Sequence, residues 1–108
     1  MEQIYKTDLK TQNNFRKFGE DFSKIWSDDE HHIYVFKRVK VYNLDDGKTK
    51  EVISYEVIKG VKAKNPDGTI VYAYPSSEQF GKNGYYISGN EKYCKERITK
   101  RISDFLVN

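Results

Sequence analysis

The chain has 108 residues, enough for one domain and too few for two ordinary ones. It is 37% hydrophobic, 15% aromatic and 32% charged, which excludes a disordered chain and points to a core built largely from rings. The net charge of +3 is only a weak pointer to an anionic partner.

That charge is unevenly spread: residues 1–30 carry five basic and seven acidic groups, residues 31–64 eight and four, and residues 65–108 six and five. Cys94 is the one cysteine, so no intrachain disulfide forms and a reducing compartment is expected. The N-terminal stretch MEQIYKTDLK has no apolar signal region, and no run approaches the ~20 apolar residues of a membrane span. The expectation is a cytoplasmic protein without membrane contact, folded as a single domain over 1–108.

In chain order, the first predicted element is a helix over Thr11–Trp26. Phe15, Phe18, Phe22, Ile25 and Trp26 fall on one stripe at about 100° per residue, with Arg16, Lys17, Glu20 and Lys24 off it. Gly19 costs such a helix about 1 kcal/mol relative to Ala, a loss five large apolar groups outweigh. The run Ser27-Asp28-Asp29-Glu30 ends it.

Two extended runs follow, His31–Tyr42 and Lys50–Ala63, both rich in Val, Ile and Tyr. Asp45-Asp46-Gly47 between them suits a type I turn closed by a left-handed glycine. That turn sets Leu44 opposite Lys48, and counting back sets Val39 against Ile53, Lys37 against Tyr55 and Val35 against Val57. A two-residue loop would instead set Val39 against Ser54 and Val35 against Ile58, scattering the apolar groups, so pattern and turn chemistry select one register. Asn65-Pro66-Asp67-Gly68 repeats the turn. It pairs Ala63 with Val71 and Val61 with Ala73, and a strand over Thr69–Tyr74 completes a meander that Pro75 ends.

Ser76-Ser77-Glu78-Gln79 has capping-box spacing and opens a helical turn ending at Asn83-Gly84, after which Tyr85-Tyr86-Ile87 reads as a short fourth strand. Ser88-Gly89-Asn90-Glu91 opens a last helix reaching Leu106, with Cys94, Ile98, Ile102, Phe105 and Leu106 inward. The predicted fold class is therefore α+β, an antiparallel meander of three to four strands packed against an N-terminal and a C-terminal helix. Its helix–strand–strand–strand–helix order resembles that of double-stranded-RNA-binding domains at fold level. Asn90-Glu91-Lys92-Tyr93-Cys94-Lys95 lacks the lysine and alanine cluster that opens their last helix, and the strands are too long, so no membership is assigned.

One sheet face is expected to carry Val35, Val39, Ile53, Tyr55, Val57, Val61, Val71 and Ala73 and to receive the helices. The other carries His32, Tyr34, Phe36, Arg38, Lys40, Tyr42, Ile58, Lys62, Lys64, Ile70, Tyr72 and Tyr74. This mixture of rings and cations matches a surface on which bases stack and phosphates are tracked. It equally matches a face covered by the chain itself, by a protein partner or by a second copy in a homodimer.

On the last helix Lys92, Lys95, Arg97, Lys100 and Arg101 outnumber Glu91, Glu96 and Asp104, an arrangement that meets phosphate or simply solvates a helix face. The candidate binding residues are Tyr34, Phe36, Arg38, Lys40, Lys62, Lys64, Tyr72, Tyr74, Lys92, Arg97 and Lys100.

No catalytic residue, cofactor or metal ligand is expected. His31 and His32, adjacent on a strand, point to opposite faces, and Cys94 lies on an inner helix stripe. Asp45 or Asp46 with Glu56 and Lys59 has the residue types of a metal-dependent nuclease, but roughly 30 Å of extended strand separates them. Gly81-Lys82-Asn83-Gly84, edged by Tyr85 and Tyr86, is not a P-loop, but as a flexible aromatic-edged loop it either carries binding or simply connects two elements. The expected function is a small non-catalytic binding module for nucleic acid. A protein-interaction or inhibitor module, of phage or mobile-element type, is the competing class.

Overall fold

A computed structural model describes residues 5–107. The parts of the single-domain and N-terminal readings that concern residues 1–4 and 108 lie outside the described residues.

The segment predicted as the first helix is a β-hairpin. β1 (Asn14–Lys17) and β2 (Glu20–Asp28) pair antiparallel, with Lys17 opposite Glu20, across a loop of Phe18 and Gly19 at φ 56° and 74°. Two left-handed residues in succession define the two-residue loop whose twist matches that of its strands. The apolar spacing that mimics a helical stripe resolves differently here. Phe15 and Phe22 are cross-strand partners, stacked at 4.4 Å, while Phe18 is left in solvent at the tip. A bulge between Lys24 and Trp26 then shifts the pairing, so that Lys24 faces Phe36 but Trp26 faces Val35 on the opposite side of the sheet.

β3 (Ile33–Asn43) and β4 (Thr49–Lys59) form the long central ladder in the predicted register: Val35 opposite Val57, Lys37 opposite Tyr55 and Val39 opposite Ile53. Leu44 N donates to Lys48 O at 2.8 Å, and Gly47 closes the turn at φ 81°. The second hairpin also keeps its register, with β5 (Val61–Lys64) placing Ala63 opposite Val71 of β6 (Ile70–Ala73).

This hairpin does not extend the meander. Gly60 interrupts the expected Lys50–Ala63 strand, and β5–β6 is a separate two-stranded sheet. β4's free edge is taken by β7 (Gly84–Ser88), with Tyr55 opposite Ile87, after the helix α1 (Ser77–Asn83). The result is a five-stranded sheet in the order β1-β2-β3-β4-β7, with α1 and α2 (Glu91–Val107) in the C-terminal half. The fold is therefore mostly β, which replaces the predicted α+β meander between two terminal helices. The order of elements that resembled an RNA-binding domain goes with it.

Local capping chemistry was legible. Ser76 and Gln79 form the reciprocal capping box of α1, and Asn90 Oδ1 accepts from Tyr93 N at 2.8 Å to start α2. Of α2's predicted inner residues, Cys94 and Phe105 are buried, whereas Leu106 is 47% exposed. Among the described residues, no helix is long and apolar enough to cross a membrane.

Both faces of the central ladder are covered at its Ile33–Phe36 end. Ile33, Val35 and Val57 pack under Phe105, with Ile98, Ile102 and Tyr85 around them. On the other face Tyr34, Phe36, Ile58 and Phe22 form a core with Leu9, flanked by Phe15, Tyr74 and Phe80. The segment bearing Leu9 is held to the hairpin by Leu9 N donating to Tyr72 O and by Asn65, whose Oδ1 accepts from Lys6 N and whose Nδ2 donates to Lys6 O.

Gly60 allows the close approach of Tyr72. A Cβ there would meet Tyr72 Cβ at 2.9 Å, while Gly60 N donates to His32 O and the His32 and Tyr72 rings stack at 3.4 Å. Gly81, inside α1, has open space at its Cβ position. Two glycine-to-alanine changes should therefore have opposite signs in urea unfolding. Gly60→Ala should cost about 1–3 kcal/mol through overpacking, and Gly81→Ala should gain about 0.5–1 kcal/mol through helix propensity.

Candidate functional site

The structure divides the predicted site residues between two places. Tyr34 and Phe36 are fully buried in a cluster with Leu9, Phe22 and Ile58, flanked by Phe15, Tyr74 and Phe80, so they cannot stack on bases. Of the two readings of this face, the structure shows the one in which the chain itself covers it. The open platform fails because Leu9 and the first hairpin's Phe15 and Phe22 bring apolar side chains onto it.

Arg38 is likewise engaged. Its guanidinium hydrogen-bonds Glu20 and donates to Glu56 Oε2 at 3.2 Å, and it lies 5.0 Å and 4.8 Å from the Phe22 and Tyr86 ring centroids. Tyr74 is half-buried and donates its hydroxyl to Glu56 Oε1 at 2.5 Å. Burial pushes the Glu56 carboxyl up, against the Tyr74 hydrogen bond and the Arg38 and Lys17 charges, which pull it down. Burial, followed by the hydrogen bond to Glu56, pushes the Tyr74 phenol well above its usual range. Arg38 is thus the counter-ion of two carboxylates rather than a phosphate contact. Lys40 lies 4.9 Å from the Tyr42 ring centroid, Lys62 and Lys64 are exposed on β5, and Tyr72 is stacked on His32.

Two of the three predicted helix residues converge. Arg97 and Lys100, one turn apart on α2, line a cavity of about 140 Å³ with Tyr85, Arg101 and Asp104. It adjoins a second cavity of about 330 Å³ lined by Lys59, Lys82, Asn83, Arg101, Asp104 and Phe105. Together these walls present Lys59, Lys82, Arg97, Lys100 and Arg101 around the single carboxylate of Asp104. The Arg101 guanidinium lies 5.5 Å from the Tyr85 ring centroid and 4.8 Å from that of Phe105. Its Nε is buried with no hydrogen-bond partner among the described residues. Arg97 lies 5.9 Å from the centroid of Tyr93, which is 46% exposed.

Lys92 stands apart, lining a shallow surface with Glu91, Lys95 and Glu96, where Lys95 Nζ is 3.0 Å from Glu91 Oε1. Lys82 and Tyr85 belong to the aromatic-edged loop that the sequence offers as a binding element, and Lys59 to the nuclease-type set. They come from α1, β7 and β4, and only the topology brings them together beside α2.

The nuclease-type set does not assemble. Asp45 and Asp46 are exposed in the β3–β4 turn, Glu56 is held by Arg38 and Tyr74, and Lys59 Nζ donates to Phe105 O at 3.3 Å. Among the described residues, no three His, Cys, Asp or Glu side chains are grouped to hold a metal ion. The Cys94 thiol is buried, and burial raises it further from ionisation. Comparison with protein-family models, with curated proteins and with solved structures finds no match in any of the three.

Tyr34 supplies a pH test of the covered face. Its hydroxyl has no hydrogen-bond partner among the described residues. Burial, then the charges of Asp29, Asp8 and Asp28, push its ionisation up to about 12 from the ordinary 10.0. The folded protein holds this proton more tightly than the unfolded chain does. The associated stability is therefore complete below pH 10.0 and lost as pH rises through about 12. Tyr34→Phe should remove that alkaline loss from the pH–stability profile and cost less than about 1 kcal/mol at neutral pH, since no hydrogen bond is broken.

Proposed function

We propose that the chain is a non-catalytic module that binds single-stranded nucleic acid through the groove between α2 and β7. The observation that carries this reading is the convergence of Lys59, Lys82, Arg97, Lys100 and Arg101 around Asp104, beside Tyr85 and Tyr93. Clustered cations of this kind track a phosphate backbone, and neighbouring rings accept bases without regard to sequence. Guanidiniums held against aromatic rings are also pre-organised for bidentate contact with phosphate oxygens.

A protein-partner reading rests on a different surface. Trp26, Val41 and Ile53 share the sheet face that α2 partly covers, and they remain 42%, 52% and 40% exposed. Apolar exposure on one sheet face is a feature of interaction surfaces.

Fluorescence-anisotropy titration with labelled single- and double-stranded DNA and RNA at two salt concentrations separates the two. About four phosphate contacts predict an affinity for single strands that falls some tens-fold between roughly 50 and 200 mM salt. Arg97→Glu with Lys100→Glu, both on the solvated side of α2, should weaken binding more than about tenfold with an unchanged melting curve. Absence of binding at low salt, or binding indifferent to the double substitution, would overturn the nucleic-acid reading and leave the Trp26 face as the place to seek a partner.

A further inference from the structure

A second cavity lies on the opposite face of the sheet from the α2 groove. The β1–β2 loop places Phe18 at φ 56° with 82% of its surface exposed. Left-handed backbone is disfavoured for a bulky residue, and this loop position ordinarily goes to Asn, Asp or Gly. Neither turn chemistry nor core packing explains the ring. It overhangs a cavity of about 330 Å³ walled by Tyr74, Pro75 and Phe80 and floored by Glu56.

The charges of this cavity do not balance without a loose cation. Glu20 and Glu56 share Arg38, so two carboxylates meet one guanidinium. Arg38 is fixed between the Phe22 and Tyr86 rings, and Tyr74 adds only a neutral hydroxyl to Glu56. The remaining positive charge comes from Lys17, whose Nζ lies 4.4 Å from the Tyr74 ring centroid and 5.2 Å from that of Phe18. Lys17 is exposed on a short edge strand, and its flexible stem can swing into solvent by giving up its contacts with the two rings. Ring faces over a buried carboxylate form the arrangement that attracts an ammonium or guanidinium and repels an anion.

We propose that this cleft binds an alkylammonium or alkylguanidinium group, either a lysine or arginine side chain or a free amine of the same shape, with Lys17 occupying the position when no ligand is present. The incoming cation replaces the Lys17 ammonium against Tyr74 and Phe18 and faces Glu56. Its alkyl stem lies along Pro75 and Phe80.

The test is calorimetric titration of the full chain with n-butylguanidinium, n-butylammonium, blocked arginine and, as the anion control, butyrate. Lys17→Ala should bind the guanidinium at least about tenfold more tightly than the unaltered chain, because the competing internal cation is gone. Adding Phe18→Asn should abolish that gain while leaving the fold intact, since Asn suits the loop better than Phe. A preference for blocked arginine over n-butylguanidinium assigns a protein side chain as the source, and the reverse preference assigns a free amine. Lys17→Ala binding no more tightly than the parent, a gain that survives Phe18→Asn, or equal binding of butyrate overturns the proposal.

Discussion

Ile33, Tyr34, Val35 and Phe36 are four consecutive buried residues on one strand, and the rest of the molecule is arranged around covering them. Successive side chains on a strand point to opposite faces, so this run needs a roof on both sides. One is α2, which brings Phe105, Ile98 and Ile102 over Val35 and Val57. The other is assembled from pieces distant in the chain: Leu9 ahead of the sheet, Phe15 and Phe22 from the first hairpin, Tyr74 beyond the second, and Phe80 from α1. Gly60 ends β4 and separates the second hairpin from the five-stranded sheet.

The same constraint decides where chemistry can happen. Burying Tyr34 and Phe36 encloses the carboxylate of Glu56, 4% exposed, within the sheet. A buried charge is tolerable only when paired and hydrogen-bonded, which is why Arg38 and Tyr74 converge on it. Arg38 therefore balances charge inside the domain. Arg97 and Lys100 reach into solvent where α2 meets β7, beside Lys82 at the end of α1, while Lys62 and Lys64 are exposed on β5.

The parts of this arrangement written locally were readable in the sequence. Asp45-Asp46-Gly47 and Pro66-Asp67-Gly68 specify their turns, and the registers of β3 with β4 and of β5 with β6 follow by counting. Ser76 with Gln79 and the spacing of Cys94, Ile98, Ile102 and Phe105 likewise announce the two helices. The first hairpin was hidden because Phe15, Phe18, Phe22, Ile25 and Trp26 satisfy a helical period, while the bulge before Trp26 spoils the alternation of a strand. Phe18-Gly19 carries only half of the usual turn signature. The unbroken apolar run at Ile33–Phe36 was the available sign of burial on both faces, and it argues against an open platform. The pairing of β4 with β7, and hence the groove, depends on contacts across 30 or so residues that no local pattern encodes.

Amide hydrogen exchange, followed by mass spectrometry with and without a saturating single-stranded oligonucleotide, tests the central claim most directly. The claim is that residues 33–36 are sealed on both faces and that binding falls on the helix side. The account predicts slow exchange over residues 33–36 in both samples, with oligonucleotide-dependent protection confined to residues 82–85 and 97–101. Fast exchange at 33–36 in the free protein, or protection by the oligonucleotide concentrated at 34–42, would contradict it.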